Sequence, residues 1–309
     1  MRKINNLEEA YHPFSRYTRE RFGKKVYKLP IHLKGSCPNR DGTVGTGGCI
    51  FCGEEGGSAE WIYGSIEEQI AQNREIFKKR YNAQAFIAYF QNFTGTHIPP
   101  EVLEERVAQV MAAGEDIVGI TIGTRPDALS VAALEVLKGA KEAGYEVTVE
   151  LGLQSANEQT LLWMNRCHDV ASFRRAVALL HDYGLRVGVH MILDFPTDDM
   201  EDVIQGAKLI NEVGAHEVKI HNLYILKNTK LGRLYQAGEF SPLTMEEFIE
   251  RTIVFLEHLS PEVVVGRLLG RAPEKDVFFA NWNHSWYLIR DTIVERMIEE
   301  SRTQGSRFL

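Results

Sequence analysis

The sequence has few cysteines and no long hydrophobic run. Its 309 residues include only four cysteines, which argues against a disulfide framework. No apolar run reaches about 18 residues, the length that a membrane-spanning helix requires. The first residues, MRKINNLEEAYH, lack the hydrophobic core of a secretory signal. We therefore expect a cytoplasmic protein without a membrane span.

Positive charge is also scarce overall, but it is unevenly placed. The net charge is −7, which alone argues against a nucleic-acid partner. Residues 1–40 nevertheless carry ten basic and three acidic residues, a charge of +7, so the other 269 residues carry −14. The basic residues are Arg2, Lys3, Arg16, Arg19, Arg21, Lys24, Lys25, Lys28, Lys34 and Arg40.

Aromatic residues lie among these cations at Tyr11, Phe14, Tyr17, Phe22 and Tyr27. Cations for phosphates and aromatic rings for base stacking suit contact with RNA. The alternative is an arm that packs on the rest of the protein through its aromatic side chains. We define residues 1–25 as a basic N-terminal arm.

Three of the four cysteines lie in one glycine-rich stretch, residues 35–57, GSCPNRDGTVGTGGCIFCGEEGG. Eleven residues separate Cys37 from Cys49, and two separate Cys49 from Cys52. Soft thiolates at this spacing indicate zinc or an iron–sulfur cluster. Since a structural zinc site normally has four protein ligands, three thiolates favour a [4Fe–4S] cluster with one open iron. A zinc loop completed by His32 or another histidine is the alternative.

Short strands alternate with helices along most of the chain. Strands are predicted at 26–34, 85–91, 117–122, 146–153, 186–193 and 217–224, with helices between them. A repeat of about 30 residues predicts βαβ units and a parallel sheet. Six units suit an α/β fold, a partial TIM-like (β/α)6 barrel at 26–229 with functional residues at the C-terminal strand ends. Residues 230–309 are predicted to form a mainly helical extension that closes the open side of the barrel.

The run from Cys37 to Cys52, CPNRDGT followed by GGCIFC, resembles the cluster loop of radical S-adenosylmethionine (SAM) enzymes. It is most similar to short relatives of the catalytic subunit of Elongator that lack its acetyltransferase domain, and the likeness covers residues 15–290. The resemblance implies a [4Fe–4S] cluster on Cys37, Cys49 and Cys52, with SAM on the fourth iron. Reduced flavodoxin or ferredoxin would supply the electron that yields a 5′-deoxyadenosyl radical.

The resemblance also assigns SAM-binding roles to polar residues after strands two and three. In similar enzymes the backbone of a turn like Gln91-Asn92-Phe93-Thr94-Gly95 meets the amino group of SAM. The run Thr124-Arg125-Pro126-Asp127 is similar to one in the family, and Arg125 and Asp127 suit a phosphate, a sugar or the SAM carboxylate. The alternative for these two is an ion pair that caps the next helix.

Strand four offers Glu150 and Gln154, which the two-residue period places on one side. In similar enzymes polar residues here bind the ribose or the carboxylate of SAM, and an arginine at the place of Arg166 pairs with that carboxylate. Two departures from the family stand out. Cys167 replaces a usual glycine and is predicted to be a small buried side chain, and 194–198 (DFPTD) replaces a Gly-Leu-Pro-Gly-Glu turn, so no adenine contact is assigned there.

Strand six and the following turn match the family run VKIHxLYxLKxTKL well. Lys219 and His221 are expected to point into the barrel, and with Tyr224 they are the candidate catalytic residues. A buried lysine requires a partner, either a charged substrate or Glu150. His32, His97 and His190 are predicted to be structural.

The resemblance and the basic arm together point to tRNA as substrate. The natural target is the wobble uridine of the anticodon, splayed out of its stack. The chain has no room for an acetyltransferase domain, so we expect it to remodel an existing C5 side chain, for example carboxymethylaminomethyl-uridine toward aminomethyl-uridine. The alternatives are radical chemistry on a small molecule or protein, and a non-catalytic zinc-dependent RNA-binding protein.

Overall fold

Two short helices precede the sheet. They are α1 (Leu7–Ala10) and α2 (Phe14–Phe22), and Gly23 ends α2 in the left-handed conformation that glycine adopts without strain. The computed structural model describes residues 6–33, 35–53, 56, 64–271 and 275–308. Several residues singled out in the sequence lie outside the described residues: Arg2, Lys3, Lys34 and 54–55 and 57 of the cysteine stretch.

Six parallel strands alternate with helices, as the sequence predicts. The strands are β1 (Val26–Ile31), β2 (Ala85–Phe90), β3 (Ile117–Thr124), β4 (Glu146–Gln154), β5 (Arg186–Ile192) and β6 (Glu217–His221). The helices between them are α3 (Ile66–Tyr81), α4 (Pro100–Met111), α5 (Val131–Glu142), α6 (Glu158–Trp163), α7 (Val170–Asp182) and α8 (Met200–Glu212). Each strand pairs in parallel with the next, so all C-terminal ends lie along one edge.

Local sequence signals fix where several helices begin. Ser65 and Glu68 form a reciprocal capping box at α3, and Asp199 and Asp202 form one at α8. Asp169 caps α7 by accepting a hydrogen bond from the backbone of Ser172. The apolar faces of these helices pack on the sheet in one continuous core.

The C-terminal part of the chain extends the sheet as well as covering it. It contains β7 (Ile225–Leu226), α9 (Lys230–Gln236), α10 (Met245–His258), β8 (Val264–Arg267), β9 (Val277–Phe279) and α11 (Trp286–Glu299). β8 pairs in parallel with β6, so the curled sheet has seven strands in the order β1 to β6 and then β8. β7 and β9 form a separate antiparallel ribbon. The predicted partial barrel with a mainly helical C-terminal region is confirmed, and its seventh strand is an addition that the sequence did not predict.

The basic arm packs at the N-terminal ends of the strands. The Tyr17 hydroxyl donates to Glu146 Oε2 at 2.6 Å, and Arg21 Nε donates to the same oxygen at 3.1 Å. The Arg186 guanidinium lies 4.6 Å from the centroid of the Tyr17 ring. Glu146 and Arg186 are the first residues of β4 and β5. The arm therefore lies at the opposite end of the sheet from the cysteine stretch, which follows the C-terminal end of β1.

Two distant segments meet along β8. Pro13 pairs in parallel with Val265, whose backbone N–H donates to His12 O at 2.8 Å. The Gln304 side chain accepts from His12 N at 2.8 Å and donates to Val263 O at 2.8 Å. The outer edge of the seventh strand is thus covered by chain from both terminal regions.

Candidate active site

The cysteine stretch forms a loop beyond the C-terminal end of β1. Cys49 is buried, Cys37 and Cys52 are half-buried, and all three are free thiols. Backbone bonds hold the loop, from Arg40 N to Cys37 O at 2.7 Å and from Cys52 N to Cys49 O at 3.0 Å. Gly48 has φ 72, a left-handed backbone that glycine adopts readily. The loop therefore presents three cysteines from one folded segment.

Hydrogen bonds connect this loop to the segment that follows α6. Asn39 Nδ2 donates to Asn165 O at 2.6 Å, and Asn165 Nδ2 donates to Gly48 O at 2.8 Å. Ile50 N donates to Met164 O at 3.1 Å. Within the described part of the chain, Asn39 Oδ1 is buried without a hydrogen-bond partner.

Arg166 joins the loop to strand β4. Its Nη1 donates to Cys49 Sγ at 3.4 Å, and its Nη2 donates to Gly152 O at 2.5 Å. Its Nε donates to His168 Nε2 at 2.9 Å. Burial, with the nearby Arg166 charge, lowers the pKa of His168 to about 3, so the ring is neutral and can accept this bond. A cation hydrogen-bonded to a cluster-binding sulfur is one way in which a protein adjusts cluster potential.

Arg125 and Asp127 extend this arrangement. Arg125 forms a two-pronged bond with Asp127 at 2.8 and 2.7 Å, and its Nη2 also donates to Arg166 O at 2.8 Å. Among the residues that the structure describes, Arg125 Nη1 is buried and has no partner. The Arg125–Asp127 ion pair weighed as an alternative is present, but Ser130 rather than Asp127 caps α5, and one donor of Arg125 remains for a bound group.

The three thiols suit an iron–sulfur cluster by their chemistry. In the described ranges, no three His, Cys, Asp or Glu side chains converge closely enough to hold one metal ion. Thiolates on three different irons lie farther apart than three on one zinc, which needs all its ligands within bonding distance. Burial, with Cys49 adding to it, raises the pKa of the Cys52 thiol to about 11. A bound metal group is what would stabilise its thiolate form.

The turn after β2 links this loop to β3. Gly95 N donates to Gly123 O at 2.9 Å, and a Cβ on Gly95 would lie 2.6 Å from Ile122 Cγ1. The close approach explains the glycine. Asn92 uses its amide for Leu33, accepting from N at 2.9 Å and donating to O at 2.6 Å. Gln91 is half-buried, and Thr94 Oγ1 is buried without a partner in the part of the chain that is described.

A charged network occupies the interior of the barrel. Glu150 accepts from Lys28 Nζ at 2.8 Å, from Lys219 Nζ at 2.8 Å and from His190 Nε2 at 2.7 Å. Lys28 also donates to Glu217 at 2.7 Å. The predicted partner of Lys219 is therefore Glu150. His190, expected to be structural, belongs to this network.

The pKa shifts in this network follow from burial and charge. Burial opposes ionisation of Glu150, but Lys219 and Lys28 outweigh it and hold the pKa of that carboxyl well below its usual range. Burial lowers the pKa of Lys219 to about 7, although Glu150 acts in the other direction. Lys219 Nζ also lies 3.9 Å from the centroid of the Tyr89 ring. These contacts pair the buried charges of Glu150 and Lys219 with each other and with their neighbours, so neither side chain needs a ligand as its partner.

Gln154 lies beyond a bulge in β4. The pairing of β4 with β5 shifts register between Gly152 and Gln154, and Gln154 has φ 79. A Cβ on Gly152 would lie 2.8 Å from Gln154 Nε2. Since Gly152 precedes the shift and lies two residues after Glu150, the Gln154 side chain stays on the side of the sheet that Glu150 shares. A left-handed glutamine costs of order 1 kcal/mol or more, and such strain is common at functional sites.

A second polar group lies nearer the C-terminal strand ends. Arg267, the last residue of β8, has its Nη2 2.8 Å from His221 Nδ1, and the His221 and His190 rings are 5.2 Å apart. Burial lowers the pKa of His221 well below its usual range, and the Arg267 charge adds to this. Tyr224 lies past the end of β6, with its hydroxyl against Gly270. The sequence analysis did not select Arg267, because the sequence does not predict the strand that carries this residue.

The two departures from the family have local explanations. Cys167 is exposed, so the prediction that it is buried is wrong. It has φ 58, a conformation that suits the glycine usual at this place. In the 194–198 turn, Asp194 accepts from Leu223 N at 2.8 Å, and Asp198 accepts from Ser155 Oγ at 2.8 Å.

Comparison with known proteins agrees with this arrangement. The Radical SAM superfamily matches residues 41–210, and the Radical SAM C-terminal domain matches residues 215–299. YtqA of Bacillus subtilis is 34% identical over 307 residues, which cover 98% of this chain and 94% of that protein. None of the helices in the described part of the chain combines the length and apolarity needed to cross a membrane.

Relatives of the Elongator type match a shorter region. The tRNA uridine(34) acetyltransferase of Methanocaldococcus infernus is 31% identical over 170 residues, which cover 52% of this chain and 30% of that enzyme. The solved archaeal Elp3 of Methanocaldococcus infernus superposes with a TM-score of 0.69 at 19% identity, covering 90% of this chain and 64% of that one. The chain is thus homologous to the radical SAM region of Elp3, and it belongs to the Radical SAM superfamily, whose enzymes use a [4Fe–4S] cluster and SAM.

Proposed function

We propose that this radical SAM enzyme modifies tRNA at the C5 side chain of the wobble uridine. A basic and aromatic surface beside the cysteine loop carries the proposal. It consists of Lys227, Lys230, Arg233 and Lys275 with Tyr235 and Phe278, on the β7–β9 ribbon and α9, and we call it the ribbon patch. The likeness to a tRNA uridine(34) acetyltransferase supports the same substrate class.

The ribbon patch has the chemistry that RNA contact needs. All four of its cations are exposed, and none forms an ion pair with another residue in the described ranges. The Phe278 ring is 38% exposed, Lys227 Nζ lies 5.9 Å from its centroid, and the Tyr235 ring is 6.1 Å away. Unpaired cations bind phosphates, and accessible aromatic faces stack on unpaired bases.

Its position supports a role at the active site. Leu231 N on α9 donates to Ile50 O in the cysteine loop at 2.8 Å. A Cβ on Gly53 would lie 2.7 Å from Leu226 Cδ1, so the loop and the ribbon are in close contact. Phe51, Tyr235 and Phe279 pack on one hydrophobic cluster. An RNA strand on the ribbon patch would therefore lie next to the cluster loop.

The N-terminal arm is a weaker candidate for RNA contact. Arg16 pairs with Glu20 at 2.8 Å, Arg19 pairs with Glu8, and Arg21 pairs with Glu146. The arm lies at the far end of the strands, and its aromatic residues pack on the sheet. These contacts fit the alternative of a packed arm, so we assign RNA contact to the ribbon patch.

The proposed roles of the chain's own residues differ with their depth in the barrel. When bound, the cluster and SAM supply the 5′-deoxyadenosyl radical for hydrogen abstraction. Cys37, Cys49 and Cys52 hold the cluster, and we assign Arg166 and Arg125 to the cofactor side of the cleft. His221 and Tyr224 lie at the substrate side, while Lys219 is fixed by Glu150. We propose a cytoplasmic enzyme that receives its electron from reduced flavodoxin or ferredoxin.

Two charge-matched variants test the RNA surface. One changes Lys227, Lys230, Arg233 and Lys275 to alanine, and the other changes Arg16, Arg19, Lys24 and Lys25. Each neutralised phosphate contributes about −0.7 to the slope of log K against log salt for single strands. We expect the first variant to flatten the slope of tRNA binding by about 2 to 3 and the second to leave it unchanged. Equal slopes for the wild type and the ribbon variant would refute the assignment.

Nucleoside mass spectrometry tests the reaction itself. tRNA from cells with and without the gene should differ in one C5-substituted wobble uridine, with carboxymethylaminomethyl-uridine accumulating without the enzyme. Identical nucleoside profiles under anaerobic and aerobic growth would argue for a small-molecule or protein substrate instead.

A further inference from the structure

We propose that Arg267 and Tyr224 form a subsite for an anionic group of the substrate, a carboxylate or a phosphate. Both side chains lie at the C-terminal ends of the strands, above the Glu150 network. Neither belongs to the cysteine loop or to the Arg166–Arg125 group. The subsite requires only radical SAM chemistry on some anionic substrate, so it stands apart from the tRNA proposal.

The position of Arg267 follows from the register of the seventh strand. Lys219 of β6 is paired with Arg267 of β8, so Arg267 lies next to the interior network at the end of the sheet. Its Nη2 reaches His221, and the His221 ring faces that of His190. Since paired residues of parallel strands point to the same side of the sheet, Arg267 lies on the interior side with Lys219 rather than toward the outer helices.

Arg267 is a cation without a carboxylate partner in the described residues. Within the described residues, the two carboxylates of the interior network are Glu150 and Glu217, and both are engaged by Lys28 or Lys219. The contacts of Arg267 are with the neutral ring of His221, which brings no negative charge. A partly buried guanidinium is strongly stabilised by an anion.

Two orphaned polar atoms point to the same ligand. Arg267 Nε and Tyr224 Oη are both buried, and neither finds a hydrogen-bond partner in the ranges that the structure describes. Buried polar groups are nearly always paired, so each unpaired donor indicates a missing partner. The two groups also interact electrostatically, since the Arg267 charge acts on the pKa of Tyr224. The nearby Asp194 is occupied by the backbone of Leu223.

The chemistry of these donors favours a planar or tetrahedral oxyanion. The guanidinium presents parallel N–H groups that match a carboxylate or phosphate edge, and a tyrosine hydroxyl can donate to a further oxygen. If the proposed function holds, the carboxylate of a carboxymethylaminomethyl side chain is a ligand of this kind. It would then be held while the reacting carbon faces the cofactor side of the cleft.

The test uses small anions with the cluster-loaded, SAM-bound enzyme, so it does not depend on activity. Trifluoroacetate is followed by ¹⁹F line broadening and inorganic phosphate by ³¹P line broadening. We expect at least one anion to bind the wild type, with affinity reduced about tenfold or more in Arg267→Gln and partly kept in Arg267→Lys. Loss of one hydrogen bond to a charged group, about 1.5–3 kcal/mol, corresponds to this range. Arg175→Gln, an exposed cation on α7, is the control.

The outcomes separate the possible sources of the anion. Preference for trifluoroacetate indicates a carboxylate, and preference for phosphate indicates a phosphate. Tyr224→Phe should weaken binding of the same anion several-fold. This second variant keeps the proposal testable if the arginine variant misfolds. Equal anion affinity in wild type and Arg267→Gln overturns the proposal. A loss of SAM affinity in Arg267→Gln comparable to its loss of anion affinity also overturns it, because the anion would then be the SAM carboxylate.

A separate arm distinguishes this proposal from the tRNA proposal. The free nucleosides carboxymethylaminomethyl-uridine and aminomethyl-uridine are compared with the wild type and Arg267→Gln. A carboxylate preference that disappears in the variant supports both proposals. Anion binding that depends on Arg267, with no binding of either nucleoside, supports the subsite and counts against the uridine substrate.

Discussion

Arg166 Nη1 lies 3.4 Å from Cys49 Sγ while its Nη2 bonds to Gly152 O at 2.5 Å. One guanidinium therefore connects a cysteine of the loop with the end of β4. Because Gly152 precedes the bulge at Gln154, the same side chain also fixes where the strand turns away. Replacing Arg166 should therefore alter both the cluster and the cofactor side of the cleft.

Arg166→Met should keep the cluster but make it harder to reduce. Removing a positive hydrogen-bond donor from a cluster thiolate favours the oxidised form. We expect the midpoint potential to fall by on the order of 50 mV, about tenfold in the one-electron equilibrium, with weaker SAM binding. EPR-monitored redox titration measures it, with Arg175→Met as the control. An unchanged potential together with unchanged SAM affinity would remove Arg166 from the site.

Cys37→Ala, Cys49→Ala and Cys52→Ala should each abolish cluster binding and SAM cleavage. The fold offers the cluster only these three thiols from one loop. Cys167→Gly should keep both properties and raise the melting temperature slightly, because glycine relieves a left-handed cysteine by about 1 kcal/mol. Iron content and the visible spectrum of anaerobically purified proteins are the measurements. Full iron content in any of the three alanine variants contradicts the assignment.

Glu150→Gln should destabilise the fold before it affects SAM. Removing this charge takes from Lys219 its carboxylate partner and leaves Lys28 with Glu217 alone, which costs about 3–5 kcal/mol. The double variant Glu150→Gln with Lys219→Met should recover part of the lost stability, since it also removes the buried charge of Lys219. Thermal unfolding of the two variants and of Lys219→Met completes the cycle. Unchanged stability in Glu150→Gln, with SAM affinity lost, would return Glu150 to the cofactor.

Asp194→Asn should become more stable than the wild type as the pH rises. Burial raises the pKa of Asp194 to about 7 from its usual 3.8, so between these values the native protein binds more protons than the unfolded chain. Wild-type stability therefore falls with pH across that window, whereas asparagine does not titrate and still accepts from Leu223 N.

The melting-temperature difference between Asp194→Asn and the wild type should grow from pH 4 to pH 7 and then level off. Its full size corresponds to on the order of 4 kcal/mol. Asp182→Asn, an exposed carboxyl on α7, is the control. A difference that is constant across this range would show that Asp194 is ionised throughout.

The alternation of strands and helices could be predicted because each βαβ unit carries its own signals. Caps such as Ser65 and Asp199 and the apolar runs of β2 and β4 are local in sequence. β8 could not be predicted, because four residues in a valine-rich run have no strand-specific period. Its identity as a strand depends on pairing with β6, and that pairing lies outside any local window. The division into arm, barrel and extension remains a prediction.

The loop that carries Cys37, Cys49 and Cys52 could also be located, since these residues are close in sequence, and their role as cluster ligands stays a prediction. The interior network could be predicted only in part. An inward Glu150 and Lys219 follow from strand alternation, but the convergence of Lys28, His190 and Glu217 on them depends on the curvature of the sheet. The bulge at Gln154 could not be predicted from the sequence either, because its extra residue is defined only by the pairing of β4 with β5.

The meeting of His12 with Gln304 at 2.8 Å has a consequence for biosynthesis. A ribosome releases β8 well before the residues around Gln304, so the growing chain passes through a stage in which the outer edge of β8 lacks the contacts of Gln304. An unpaired strand edge exposes backbone hydrogen-bonding groups, which promotes association with other chains. The outer edge of β8 is fully covered only after Gln304 has been translated, so we expect a chain truncated before Gln304 to aggregate more readily.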